Sequence, residues 1–138
     1  MGQDGTFDCS GLVIHAISRV LDVPSVEWPR NLRHTRQMWH AVGERRTELD
    51  AESTGMLLVT RRLWTDGINS ALVPAHISVL TGMTDGGVPI TIQAQAAYEG
   101  AVVERPIRTE RVSDILGTLS VSRLLEVAYY CGFLGAEA

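Results

Sequence analysis

The sequence predicts an α+β domain in which an N-terminal helix packs on a small antiparallel β-sheet. The helix is indicated by apolar residues that recur at the spacing of one buried helical face. They are Leu12, Val13, Ala16, Ile17, Val20 and Leu21. The sheet is indicated by two β-prone runs, Ala75–Thr81 and Val88–Ala94, which a Gly-rich turn joins into an antiparallel hairpin. The chain has 138 residues, 45% of them hydrophobic, which is enough for one domain with its own core.

Charge and hydropathy exclude several classes of partner. The formal net charge is −4, and no basic cluster offers the positive field that nucleic acids or anionic membranes require. No stretch approaches the roughly 18 apolar residues of a membrane span, and the start lacks the layout of a secretory signal. All twelve basic residues are arginine, which we interpret as the coding bias of a GC-rich genome, such as that of an actinobacterium or its phage. We therefore expect neither nucleic-acid binding nor membrane insertion.

A lone cysteine stands at the entry of the first helix, within the stretch Thr6–Val13. Its neighbours Asp8 and Ser10 are residue types that cap helices. The unpaired N–H groups and the dipole of a helix N-terminus favour the thiolate, which is the reactive form of cysteine. Cys9 is therefore a candidate nucleophile. Packing alone would also explain it, since free cysteine is among the most buried residue types.

The next part of the chain predicts a second helix from about Leu32 to Val42, which Gly43 ends. The charged stretch Glu44–Ser53 is expected to be an exposed linker. Gly55–Thr60 has the short, apolar composition of a buried strand.

An insert follows at residues 61–74. Its Asp66-Gly67 pair predicts a hairpin or a loop tip beside the cleft. Trp64 in this insert is expected to pack against the protein or to form part of a wall for sugar or peptide.

Within the strand Ala75–Thr81, His76 and Ser78 point to one face and Ile77 points to the other. After a turn at Tyr98–Gly100 we expect a further strand, Ala101–Ile107, whose Pro106 places it at a sheet edge. The tail from Ser113 to Phe133 is predicted to be mostly helical, with a break near Gly117.

The remaining reactive side chains carry weaker signals. Cys131 ends an apolar helix before Gly132, so we interpret it as core or helix-end packing and expect both cysteines to be free. His15 is turned away from Cys9 by the helical rotation, and His34 and His40 lack a supporting acceptor. The histidines and cysteines show no ligand-like spacing, so we expect no metal site and no cofactor.

The sequence Asp8-Cys9-Ser10-Gly11-Leu12-Val13 resembles the nucleophile motif of the NlpC/P60 cysteine peptidases, which cut stem peptides of bacterial peptidoglycan. His76 at the start of an apolar strand matches the histidine of that family, and Gln93-Ala94 occupies the place of its third catalytic residue. Pro29-Arg30 followed by Gln37 is a looser match. Two positions depart from the family pattern, since Met56 stands where aspartate is usual and Ser78 replaces a glycine.

The resemblance implies a papain-like fold with a Cys-His-Gln triad. Cys9 would attack the amide carbonyl, His76 would act as general base, and Gln93 would orient His76. The implied bond joins D-glutamate to diaminopimelate. Asp8 and Ser10 would hold the amine end of the peptide, and Arg30 a carboxylate. We expect a single, monomeric catalytic domain over residues 1–138, taken from a longer chain and located outside the cell, in the cell wall or on a virion.

Two alternatives stay open. One is a non-catalytic domain of the same fold that binds cell wall or serves structurally in a phage tail or secreted assembly. The other is an amidase or transferase on the same scaffold, because a thioester intermediate can pass to water or to an amine.

Overall fold

The described residues form helices packed on one antiparallel sheet, so the α+β class expected from the sequence is confirmed. The computed structural model describes residues 8–43, 45–94 and 102–133. Helices α1 to α3 span Cys9–Leu21, Thr35–Ala41 and Val121–Tyr130. Strands β1 to β6 span Arg45–Arg46, Leu57–Thr65, Ser70–Met83, Pro89–Ala94, Val102–Pro106 and Ile115–Leu119. Their order across the sheet is β1-β6-β2-β3-β4-β5.

Helix α1 begins at Cys9 because Asp8 caps it: the Asp8 Oδ1 atom accepts the N–H of Gly11 at 2.6 Å. It ends at Asp22, which adopts the left-handed conformation with φ of 54°. Of the predicted apolar stripe, Val13 and Ile17 are buried, but Ala16 is exposed and Val20 is 84% exposed, so the stripe is wrong at those two positions. The buried face instead turns toward Ile14 and Ser18. The N-terminus of α1, and Cys9 with it, is thereby fixed against the body of the protein.

The core lies between the helices and one face of the sheet. Helix residues such as Val13 and Met38 pack with Val59 and Ile77 of the central strands. Trp28 and Phe133 are fully buried and meet edge to face, with ring centroids 5.0 Å apart. This contact ties the segment after α3 to the loop before α2, and so braces the end of α2 that lies nearest Cys9.

Strands β2 and β3 form a long hairpin, and the predicted insert at residues 61–74 is its outer part. The strands run on to Thr65 and resume at Ser70, with the Asp66-Gly67 pair in the turn between them, so the hairpin prediction is confirmed. Thr60 is paired with His76, and an irregularity beside this pair leaves Ala75 without a partner in β2. Strand β5 lies at the end of the strand order, as Pro106 predicts. The turn predicted at Tyr98–Gly100 lies outside the described residues.

The helical prediction is wrong for residues 115–119 of the tail. Residues Ile115–Leu119 form strand β6, which lies between β1 and β2. A 3₁₀ helix at Thr109–Asp114 precedes this strand, and the α-helix of the tail is Val121–Tyr130. Gly117, Thr118 and Leu119 are all buried, and the strand is paired with β1 along one edge and with β2 along the other. A strand of this kind lacks the polar and apolar alternation that would distinguish it from a helix.

Smaller differences concern the ends of elements. The α-helix α2 starts at Thr35 and is preceded by a 3₁₀ turn at Arg30–Leu32. The expected linker supplies the short strand β1, which pairs with β6, and its Ser53 is fully buried. Cys131 is exposed, so it is not a core residue; it is the C-cap of α3, as the helix-end alternative predicts, and both cysteines are free. No helix among the described residues is long and apolar enough to cross a membrane.

Candidate active site

The Cys9 thiol lies where the first turn of α1 meets strand β3 and the first residue of α2. Its Sγ atom is 3.5 Å from Oγ1 of Thr35 and 3.8 Å from the carbonyl oxygen of Ala75. The residue is half-buried, so the sulfur is held by the protein yet keeps some exposure. Asp8, at the cap of α1, fixes the backbone on which this sulfur is mounted.

The surroundings of Cys9 favour ionisation. Burial raises the pKa of the thiol, but this is outweighed by hydrogen bonds from the His76 side chain, the Thr35 hydroxyl and the Ile77 backbone, and by the charge of His76. Together these lower the pKa of Cys9 from its ordinary value of 9.0 to about 7. At pH 7 such a thiol is about half ionised, whereas an ordinary one is about 1% ionised.

The ring of His76 is held from the side away from Cys9. Its Nε2 atom lies 2.7 Å from Oε1 of Gln93. Gln93 is only 2% exposed, and its Nε2 donates to Oγ1 of Thr91 at 2.9 Å. Thr91 is itself fully buried on the same face of β4, so the amide has a fixed orientation.

This arrangement determines which ring nitrogen can receive a proton. An amide oxygen only accepts hydrogen bonds, so the Nε2 of His76 must carry the proton in the bond to Gln93. In the neutral ring, Nδ1 is then the basic nitrogen, and it is the nitrogen left to share the hydrogen bond between His76 and the Cys9 thiol. The residues Cys9, His76 and Gln93, which the sequence placed far apart along the chain, are therefore brought into one line of contacts.

Thr35 was not identified from the sequence. The predicted second helix started at Leu32, so Thr35 fell within an apparently ordinary helical segment. In the structure it is the first residue of α2, is 5% exposed, and its hydroxyl faces the sulfur of Cys9. The only signal in the sequence is that threonine at a helix start is commonly used for side-chain hydrogen bonding.

The three residues expected to bind substrate occupy different environments. Asp8 caps α1 and also lines a cavity of about 160 Å³, together with Gly11, Ile14, Arg33 and His34. Ser10 is 4% exposed and so offers little surface to a substrate. Arg30 is exposed on its 3₁₀ turn. The structure leaves the binding roles of these residues as predictions.

Arg33, which sequence reasoning passed over, stabilises the loop beside this cavity. Its guanidinium donates to the backbone carbonyls of Ser25, Val26 and Trp28, at 3.2, 3.1 and 2.7 Å. Gln37, the looser family match, accepts the N–H groups of Arg33 and His34 at 3.0 and 3.1 Å and so caps α2. Both residues support the element that carries Thr35.

Met56 and Ser78, the two residues that depart from the family pattern, lie at positions that the structure defines. Met56 is half-buried, and its sulfur accepts the hydroxyl of Thr118 at 3.3 Å, so it packs over strand β6. Ser78 is 3% exposed and lies two residues beyond His76 on the same face of β3. Neither substitution interrupts the contacts among Cys9, His76 and Gln93.

Within residues 8–43, 45–94 and 102–133, no three His, Cys, Asp or Glu side chains are grouped as a metal site. Comparison of the chain with protein-family models, with curated proteins and with solved structures found no match. A thiol that ionises near neutral pH, beside an imidazole in a fixed tautomer, is equipped for nucleophilic attack on an acyl carbon.

Proposed function

We propose that this protein is a cysteine peptidase that cleaves peptide bonds in peptidoglycan stem peptides. The observation that carries the proposal is the contact series from Cys9 to His76 to Gln93, with the pKa of Cys9 lowered to about 7. The reaction type is supported by this geometry. The substrate class, and the papain-like form of the fold, are supported by the resemblance of Asp8–Val13 to the NlpC/P60 nucleophile motif.

In the first half of the reaction, the Cys9 thiolate attacks the carbonyl carbon of the scissile amide. The backbone N–H of Cys9, in the first turn of α1, stabilises the oxyanion that forms. His76, protonated by the thiol, then donates its Nδ1 proton to the leaving amine. The C–N bond breaks and a thioester on Cys9 remains.

In the second half, water enters beside His76, which removes a proton at Nδ1 as the water attacks the thioester. Cys9 leaves as the thiolate and the acid product is released. Throughout both halves, Gln93 holds Nε2–H of His76, so the ring keeps the same nitrogen directed at the reacting atoms. An amine in place of water would complete a transferase reaction by the same steps.

The test is incubation of the protein with purified peptidoglycan, followed by mass analysis of the released fragments. Hydrolysis at D-glutamyl-diaminopimelate bonds is expected, and its loss in Cys9→Ala with retention in Cys131→Ala would assign it to Cys9. Peptidoglycan that stays uncut with the wild-type protein and with Cys131→Ala would instead favour a non-catalytic wall-binding domain. Fragments extended by an added amine would indicate a transferase.

A further inference from the structure

The β2–β3 hairpin projects beyond the rest of the sheet. Along β2 the side chains are buried from Leu57 to Thr60, half-buried at Arg61 and exposed from Arg62 to Thr65. Along β3 they are exposed from Ser70 to Leu72 and become half-buried from Val73 to His76. We call residues 61–74 the hairpin arm. His76 lies at the base of the arm, so a ligand bound to the arm would be next to Cys9 and His76.

The arm is unusually apolar for an exposed element. Leu63 is 61% exposed, Trp64 47%, Ile68 92% and Leu72 53%. These are four of the ten large hydrophobic side chains that are exposed in the described part of the chain. Single exposed apolar residues need no explanation, but a cluster on one projecting element is typical of a binding surface.

The tip of the arm is held in shape by its own hydrogen bonds. The Oδ1 atom of Asp66 accepts the N–H groups of Ile68 and Asn69 at 2.9 and 2.7 Å. The backbone N–H of Asp66 donates to the carbonyl of Asn69 at 3.1 Å. The bond from Asn69 is the main cause that lowers the pKa of the Asp66 carboxyl. A turn ordered in this way loses less conformational entropy when the arm binds a ligand.

The two faces of the arm differ in chemistry. On one face Leu63 is paired directly with Leu72. On the other face Trp64 is paired with Ala71 and Arg62 with Val73. Because side chains alternate along a strand, Arg62 and Trp64 share the face of Thr60, which is paired with His76. The face with one aromatic ring and one guanidinium is thus continuous with the candidate active site.

We propose that the hairpin arm binds the glycan end of peptidoglycan, with a sugar ring stacked on Trp64 and a stem-peptide carboxylate paired with Arg62. The mixed character of this face fits a saccharide, which presents C–H surfaces to an aromatic ring and polar groups around it. A wholly apolar partner would fit the Leu63 and Leu72 face better. Arg62 offers the planar pair of donors that binds carboxylates.

The spacing agrees with such a substrate. Trp64 lies four residue steps along the strand from Thr60, beside His76, a distance of roughly 13 Å. In a stem peptide, two amino acids and a lactyl group separate the D-glutamyl-diaminopimelate bond from the sugar, or roughly 11–14 Å of extended chain. The inference rests on the proposed function, since it is the peptide cleavage that fixes one end of the substrate at Cys9.

The experiment compares two substrates, a disaccharide-linked stem peptide and the same peptide without sugar, by the ratio of their kcat/KM values. The wild-type protein is expected to prefer the sugar-bearing substrate. Trp64→Ala should lower the ratio by roughly tenfold, equivalent to about 1.4 kcal/mol. Trp64→Phe, which keeps a ring, should retain most of the preference. Leu63→Ala, on the opposite face and similarly exposed, is the matched control and should behave as wild type.

A ratio that is the same in Trp64→Ala as in the wild type would overturn the glycan contact and leave the peptidase proposal standing. If neither substrate is cut, the peptidase proposal fails, and the arm is then tested by sedimentation of the Cys9→Ala protein with purified peptidoglycan. If adding the Trp64→Ala substitution to this protein lowers the amount that sediments with peptidoglycan, the contact is supported. If the amount of protein that sediments with peptidoglycan does not change, the glycan contact is overturned. The same holds if Trp64→Ala abolishes only a self-association of the protein.

Discussion

The Nε2 atom of His76 lies 2.7 Å from Oε1 of Gln93, and this bond leaves the ring one basic nitrogen, on the side of Cys9. Without it, the neutral ring could carry its proton on either nitrogen and could rotate away from the thiol. Gln93 is itself held by Thr91. In the proposed mechanism the amide acts on the reaction through His76, and its removal should slow turnover without abolishing it.

Gln93→Ala is expected to reduce turnover of stem peptide by roughly 10- to 100-fold, or about 1.4 to 2.7 kcal/mol of barrier. A neutral amide stabilises imidazolium less than a carboxylate would, so the loss should be well short of that caused by Cys9→Ala. Gln93→His should retain substantial activity, since it also places a polar side chain beside the ring. Thermal unfolding serves as the control for folding. Wild-type turnover in Gln93→Ala would show that the pair Cys9 and His76 works alone.

The rate at which iodoacetamide labels Cys9 should rise with pH and reach half its maximum near pH 7, because only the thiolate reacts and the pKa of Cys9 is about 7. The measurement uses a Cys131→Ala background, and the Cys9→Ala protein reports on Cys131 for comparison. At pH 7, Cys9 should be labelled much faster than the exposed Cys131. Equal rates would contradict an activated thiol.

Thr35→Val should raise the pH of half-maximal labelling by about one unit, equivalent to about 1.4 kcal/mol. The reason is that valine has nearly the shape of threonine but cannot donate a hydrogen bond to the thiolate, which lies 3.5 Å from the Thr35 hydroxyl. Thr35→Ser keeps the hydroxyl and should keep the wild-type profile. A profile that shifts equally in both variants would trace the effect to packing rather than to the hydroxyl.

Gly117→Ala should destabilise the fold by about 2–4 kcal/mol, measured by urea unfolding. Gly117 has a φ of 150°, and a Cβ atom there would lie 2.7 Å from the carbonyl oxygen of Arg46. Gly55→Ala separates the two causes: Gly55 has a φ of 91° but no atom within 4 Å of the Cβ position. It should lose only the smaller part of this stability, about 1 kcal/mol. Similar losses in both variants would show that the contact with Arg46 is relieved.

The parts of the fold that the sequence predicted are those whose signal is local. The apolar residues of helix α1 and of the β3–β4 pair recur at helical and strand spacing, and Asp66-Gly67 is a pair of turn-forming residues. Strand β6 was missed because its neighbours β1 and β2 decide its conformation, and both lie far away in the sequence. Pairing on both edges, rather than residue preference, makes Ile115–Leu119 a strand.

For the candidate site the division is similar. The motif around Cys9 and the position of His76 on its strand pointed to two of the contacting residues, and strand parity made a bond to Gln93 feasible. Thr35 gave no such signal, because its relation to Cys9 depends on where α2 starts and how it lies against α1. Trp64 was expected to pack against the protein or to line a wall. The sequence did not distinguish the two, and in the structure Trp64 is 47% exposed.

The position of β6 also has a consequence for when the thiol of Cys9 acquires its lowered pKa during synthesis. The residues that contact one another at Cys9 all precede residue 94, yet the outer edge of β2 is paired only when Ile115–Leu119 has been made. Pairings between distant segments are formed late, since a long loop must first be closed. A nascent chain that ends before β6 should therefore present its thiol with an ordinary, slow reactivity. Activation of Cys9 would then coincide with completion of the sheet.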